Sequence, residues 1–361
     1  MHFTLFRCRA ARWLLAGLIG GLPGLPAHAG ESPATPRLSP DSPAVDVGIQ
    51  PLSYPSGVIT AVMHRDRILR GDLAALGQPP AEHSFRHGAD ILPLLADRRL
   101  EAAVLGDMPT ILGAAGGRLW IVGLVKQAST AIVAHGAAAA GDLAGKRLAY
   151  VPASSAHRTL LEYLSAANLR EDDIDLVPMG IDEMSDALQT GRIDAFAAWE
   201  PALSTALAAD ARIVFRGRSS NYFVIDRNFA RRSPEAATAL LAGLVRAIEW
   251  MRLSRPNLEK AARWAIADGA AFSGKPAQTT PGQVAAITRR ELLAVPSAPV
   301  IVTTARGAPP LKGEFEFLRE QRKLPPDSRW EDIAESFRTD LLQRVLARPK
   351  AYRLHSFDYK D

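Results

Sequence analysis

From Val45 to about Phe229 short apolar runs alternate with helix-patterned stretches, and this alternation restricts the fold more than any other feature of the chain. "VDVGIQ" reads as a strand, followed by the turn "PLSYPSG" and a helical segment reaching about Gly71. "AEHSFRH" alternates as a strand does, and "ADILPLLADRRL" has helical period despite Pro93. Further strands are expected at "EAAVLGD", "RLWIVGLV", "STAIVAH", "KRLAYV", "DIDLVPM", "IDAFAAW" and "ARIVFRG". Helices are expected at "PTILGAAGG", from Ser155 to Asn168, at "DEMSDALQTG" and at "PALSTALAA". The pattern predicts an α/β fold, a mostly parallel sheet with helices on both faces. After "SSNYFVIDRNF" the chain turns mainly helical, opening with Ser233 as cap, Pro234 in the first turn and Glu235 behind it.

At 361 residues there is room for two lobes, each with a core, and 47% hydrophobic with 22% charged residues is ordinary for a globular chain. Residues 1–29 fall outside that pattern. Arg7, Arg9 and Arg12 precede an apolar run from Trp13 to Leu22, and "AHA" ends at Ala29. This is the three-part layout of a secretory signal cleaved after Ala29, and the run is short of the roughly 20 apolar residues of a membrane span. Removing its three arginines takes the formal charge from +5 to +2. The sole cysteine, Cys8, lies in the same segment, so the expected mature chain has no disulfide and no thiolate nucleophile or metal ligand. Residues 30–44, rich in proline and serine, read as a flexible lead-in. Basic residues are scattered, which gives no support to a nucleic-acid partner.

Catalytic and metal motifs are missing: there is no H-E-x-x-H, no C-x-x-C and no G-x-S-x-G, and "GDLAGKRL" is not a P-loop. "EDDID" reads as a solvated turn, and His64, His83, His87 and His135 share no ligand spacing. No cofactor or metal is called for. The stretch "VPASSAHRTLLEYL" is more informative. With Ser154 as N-cap, Ser155, Ala156 and His157 fill the first turn, and Leu160, Leu161 and Leu164 continue a buried stripe. Free N–H groups, a positive dipole end and two small hydroxyls suit an oxyanion. On the motif alone plain capping explains the serines better, and His157 reads as a partly buried packing residue. A Ser–His catalytic pair lacks an orienting acid. Two other strand-to-helix turns bear on the choice: "VLGDMPTIL", with Asp107 and Met108, and "IDAFAAWEPAL", with Trp199 and Glu200. Strand C-termini of such a sheet share one rim, where ligands bind, so these turns and "GIQPLSYPSG" should face one cleft.

The segments "VDVGIQ", "LEAAVLGDMPTILGAAGG", "DLAGKRLAYVPASSAHRTLLEYLSAANL", "LQTGRIDAFAAWEPAL" and "SSNYFVIDRNFARRSPEAATALL" resemble, in order, the periplasmic substrate-binding components of ABC transporters for aliphatic sulfonates, taurine and nitrate. The resemblance runs from about Val45 to Trp250. It implies a two-lobed, type II periplasmic binding protein with two crossover strands and a helical C-terminal extension, lobe 1 comprising 45–130 and 220–361 and lobe 2 comprising 131–219. It implies that Ser154, Ser155 and the backbone of Ala156 hold an anionic head, with His157 beside them. Gln50, Asp107, Met108, Trp199 and Asn221 would line the walls, together with Glu200, and Asp107 or Glu200 would meet an amine on a zwitterionic ligand. The implied partners are a small sulfonate-like anion and a membrane permease; the chain would act as a periplasmic monomer. Three departures stand out: Ala153 where the family has glycine, Glu200 where it has aspartate, and a proline-rich first turn. Two other readings use the same fold, an enzyme (a desulfinase, which needs a cleft cysteine, or a thiamine-pyrimidine enzyme) and a ligand sensor.

Overall fold

The computed structural model describes residues 38–39, 42–136, 143–294 and 311–360. The expected signal, Cys8 and most of the lead-in lie outside the described residues. The chain begins β1 (Val45–Ile49), α1 (Ser56–His64), α2 (Arg67–Ala75), β2 (Pro80–Ser84), α3 (Gly88–Ala96), β3 (Ala102–Gly106), α4 (Asp107–Ala115) and β4 (Leu119–Ala134). It continues through β5 (Arg147–Tyr150), α5 (Ser155–Ala166), β6 (Asp175–Pro178), α6 (Ile181–Gln189), β7 (Ala195–Ala198), α7 (Ala202–Ala208) and β8 (Arg212–Asp226). Helices follow: α8 (Arg227–Arg232), α9 (Pro234–Leu253), α10 (Arg255–Ser273), α11 (Pro281–Thr288), α12 (Lys312–Glu320), α13 (Trp330–Glu335) and α14 (Thr339–Leu346).

The strands form one sheet in the order β2-β1-β3-β8-β4-β7-β5-β6. Pairs within each end, β1 with β2 and β3, β5 with β6 and β7, are parallel, whereas β8 and β4 join their neighbours antiparallel. "RLWIVGLV" and "STAIVAH", expected as two strands, are one 16-residue strand, and "ARIVFRG" joins "SSNYFVID" in a 15-residue strand. Residues 126–128 and Arg218 fall between the expected runs. They remain in the sheet because β4 and β8 pair along their whole length and satisfy each other's backbone. These are the two crossover strands. β3 pairs with the C-terminal end of β8 and β7 with the C-terminal end of β4.

Alternation along the strands divides the core between the two faces of the sheet. Leu119 and Ile121 pack with residues of α3 to α7, while Trp120 and Val122 pack with residues of α1, α2, α9 and α10. Asp66 separates α1 from α2, where one helix was expected, and its carboxylate caps α2 by accepting from the N–H groups of Ile68 and Leu69. Ser233 does stand at the N-cap of α9, but its hydroxyl makes no cap bond and accepts from Gln78 Nε2 at 3.0 Å instead.

Candidate functional site

The C-terminal ends of β1, β3, β5 and β7 meet around a cavity of about 30 Å³. Gln50, Ser154, Ser155, Trp199 and Asn221 line it, together with Ser53, Gly88, Gly106, Pro109, Lys126 and Ser219. Five residues singled out from the sequence are therefore brought together. Two helices begin at its wall, α4 after Gly106 and α5 after Ser154. The approach is close: a Cβ on Gly106 would stand 2.6 Å from Ser155 Oγ, so glycine is required for the β3 turn to lie against the serine.

The two serines do different work. Ser154 Oγ donates to the Val151 carbonyl at 2.7 Å and accepts from the His157 N–H at 3.2 Å, which makes it the N-cap of α5. Its proton is already used. Ser155 follows it in the first helical turn, where backbone N–H groups have no intrahelical acceptor. Trp199, 8% exposed, carries a buried Nε1–H with no hydrogen-bond partner. Gln50 Nε2 donates to the Val104 carbonyl at 3.0 Å and Asn221 Nδ2 to Ser56 Oγ at 2.9 Å, so both side chains are held in place.

The other residues expected to line the site do not reach the cavity. Asp107 is fully buried: one oxygen accepts from the Met108 N–H at 2.7 Å, the other from Arg158 at 3.0 Å and the Ser220 N–H at 3.2 Å. Its carboxylate is used up in joining α4 to α5. Met108, 2% exposed, is core. Glu200 accepts from the Ser204 N–H and hydroxyl, at 3.0 and 2.8 Å, and from Arg290 at 2.6 Å. Ala156 has a fully buried side chain, leaving only its backbone to contribute. His157 packs on the Tyr150 ring and its Nδ1 accepts from the Ala153 N–H at 3.1 Å, so it braces the serine turn from within. Burial, with a smaller push from the Lys323 charge, lowers the His157 pKa to about 4, which keeps the ring neutral.

Lys126 was missed. It sits on β4 where two bulges, with Val122 and Val125 as the unpaired residues, set it opposite Asn221. Bulges of this kind re-aim side chains beside functional sites. Lys126 is 1% exposed; its Nζ donates to the Tyr54 carbonyl at 3.2 Å and lies 3.6 Å from Glu291 Oε2. Burial pushes its pKa down, and the Glu291 and Glu200 charges oppose that shift. The available signal was a lone lysine in the apolar run "LWIVGLVKQ". Among the described residues no carboxylate lines this cavity. A larger cavity of about 330 Å³ lies between α6, α7 and α10 and includes Leu52, Tyr54, Pro201 and Ala202. A bond from the Tyr54 N–H to the Glu200 carbonyl, at 3.3 Å, joins the two turns that border both spaces.

Comparison with known proteins agrees with this architecture. Residues 114–267 match the model of the NMT1-like family. The chain is 29% identical over 169 residues to the putative aliphatic sulfonates-binding protein of Escherichia coli K12, covering 44% of this chain and about half, 53%, of that relative. It is 24% identical over 267 residues to the taurine-binding periplasmic protein of the same organism, covering 67% of this chain and 77% of the relative. Among solved structures, it is similar to the alkanesulfonate-binding protein SsuA of Xanthomonas axonopodis pv. citri bound to MOPS, with TM-score 0.62 and 22% identity over 82% of this chain and 98% of that one. The fold is thus that of the sulfonate-binding proteins, and the sequence resemblance extends to relatives named for sulfonate and taurine binding.

Proposed function

We propose that this chain is an extracytoplasmic solute-binding protein that captures a small organic anion, an aliphatic sulfonate or related compound, and delivers it to the permease of an ABC transporter. The observation that carries this reading is the cavity at Ser155. One buried space brings together the first turn of α5, an unpartnered indole N–H and the only lysine on its wall, with no carboxylate among the described lining residues. Helix N-termini and fixed donors in a water-poor site favour an oxyanion. The names of the sequence relatives supply the sulfonate.

In this reading lobe 1, residues 45–130 with 220–361, and lobe 2, residues 131–219, rotate about β4 and β8, and the anion bridges them. The bound anion favours closure through its extra contacts in the closed form. The protein works as a periplasmic monomer exported by the signal at residues 1–29. The role is binding, not hydrolysis: the basic nitrogen of His157 is engaged by the Ala153 N–H, so no base stands ready to activate Ser155.

The test is a thermal-shift screen of the purified chain against alkanesulfonates, nitrate, phosphonates and carboxylates. Alkanesulfonates should raise Tm, and Ser155→Ala should remove that shift while leaving the unliganded Tm nearly unchanged. Ser154→Ala should instead lower the unliganded Tm, since losing an N-cap costs about 1 kcal/mol. A screen in which no sulfonate shifts Tm rejects the assignment.

A further inference from the structure

Building on the anion-site reading, we infer that Lys126 determines ligand class: it supplies the countercharge for the anionic head and excludes any ligand carrying an ammonium group. Taurine and ethanesulfonate differ only by that group, so the site should discriminate sharply between them.

The argument is one of charge placement. Lys126 is the only charged side chain among the described residues that line the cavity, and it is 1% exposed. An ammonium group brought in beside the sulfonate would lose its water and lie near a like charge. To be held there it needs a carboxylate, and the nearby acids are engaged elsewhere. Asp107 has both oxygens occupied by Arg158 and two backbone N–H groups. Glu200 is held by Ser204 and Arg290. Glu291 is held by Arg290 at 3.3 Å through Oε1 and faces Lys126 itself at 3.6 Å through Oε2. That loose pairing gives the buried lysine a counter-ion while leaving its nitrogen able to meet an incoming anion. A monoanion with an apolar tail satisfies the arrangement. A zwitterion places an unpaired cation in it.

Calorimetric titration of the purified chain with ethanesulfonate and with taurine measures this directly. Wild type should bind ethanesulfonate at least about 100-fold more tightly than taurine, the scale set by an unpaired buried charge. Lys126→Gln should weaken ethanesulfonate at least about tenfold and narrow the ratio between the two ligands, which a merely structural role would not do. Taurine binding within about threefold of ethanesulfonate overturns the inference and leaves the anion site standing. So does an unaltered ratio in folded Lys126→Gln. Wild type that binds neither sulfonate overturns the anion-site reading and this inference with it.

Discussion

Ala153 has φ +53°, a left-handed conformation that costs a residue with a Cβ about 1–2 kcal/mol. The position calls for glycine, and the turn is kept by its contacts: the Ala153 N–H bonds His157 and Ser154 caps α5 directly after it. Ala153→Gly removes the strain but adds about 0.4–1 kcal/mol of unfolded-chain entropy. The net expectation is a gain of up to about 1 kcal/mol, a Tm rise of roughly 1–3 °C, readable by calorimetry. An unchanged or lower Tm refutes it. Buried His157 and half-buried Glu101 impose opposite pH dependences. His157 titrates at about 4 in the fold and near 6.5 unfolded, so between these values the unfolded chain holds more protons and acidification destabilises. Burial pushes Glu101, whose Oε2 accepts from the Asp46 N–H, up to about 7 from 4.5. Here the folded chain holds the extra proton, and acidification from pH 7 to 4.5 stabilises. Each contribution is worth about 3 kcal/mol over its window. His157→Asn should therefore gain stability relative to wild type as the pH falls from 6.5 to 4, and Glu101→Gln should lose it as the pH falls from 7 to 4.5. Urea melts across that range check both, and parallel profiles for variant and wild type would contradict the assignment.

The elements differ in how plainly the sequence announces them, and the reason is the range of the interactions that hold each one. β1, β3, β5 and β7 are short apolar runs ending in turn residues, and α5 has its cap and its leucine stripe in adjacent positions, so local pattern was enough. The same locality places the serine turn, Gln50 and Trp199 just past strand ends, whereas Asn221, inside β8, comes only from the family resemblance. β4 and β8 each read as two pieces because Lys126, Gln127 and Arg218 interrupt the apolar runs. What keeps them in strand is 14 register pairs with the other long strand, a non-local fact. Lys126 escaped notice for the same reason, since the bulge that aims it is a property of the pair. Asp107 and Glu200 depend on distant partners in another way. A helix-start acid beside a cleft suits a ligand, but the cations that claim them, Arg158 and Arg290, lie 51 and 90 residues away.

At the scale of the whole molecule, the sheet order separates β2 and β6 to opposite edges, yet the turns that follow them meet. Arg86, just after β2, donates from Nη1 to both oxygens of Asp182 at the start of α6, at 2.7 and 2.8 Å, with both side chains mostly buried. Lys275 approaches the same carboxylate at 3.7 Å, and Gln278 Nε2 donates to Asp186 at 3.0 Å. On the proposed two-lobe division, this cluster joins residues of opposite lobes, Arg86, Lys275 and Gln278 of lobe 1 with Asp182 and Asp186 of lobe 2. Nothing in the cluster touches the cavity, so it can bias closure without altering the anion contacts. Charge-assisted hydrogen bonds are worth about 1.5–3 kcal/mol, enough to move an open–closed equilibrium about tenfold or more. Asp182→Asn should shift that equilibrium toward the open form, giving a larger radius of gyration by small-angle scattering when no sulfonate is added. Saturating alkanesulfonate should bring the variant back to the wild-type value, because the anion supplies its own closing free energy. Raising the salt to about 1 M should expand wild type in the same direction and affect the variant less, since the Debye length there is about 3 Å. If the variant and wild type scatter identically without ligand, the edge cluster is not a clasp, and closure rests on the other bonds between the proposed lobes, the buried Arg158–Asp107 pair and the Arg290–Glu200 pair among them.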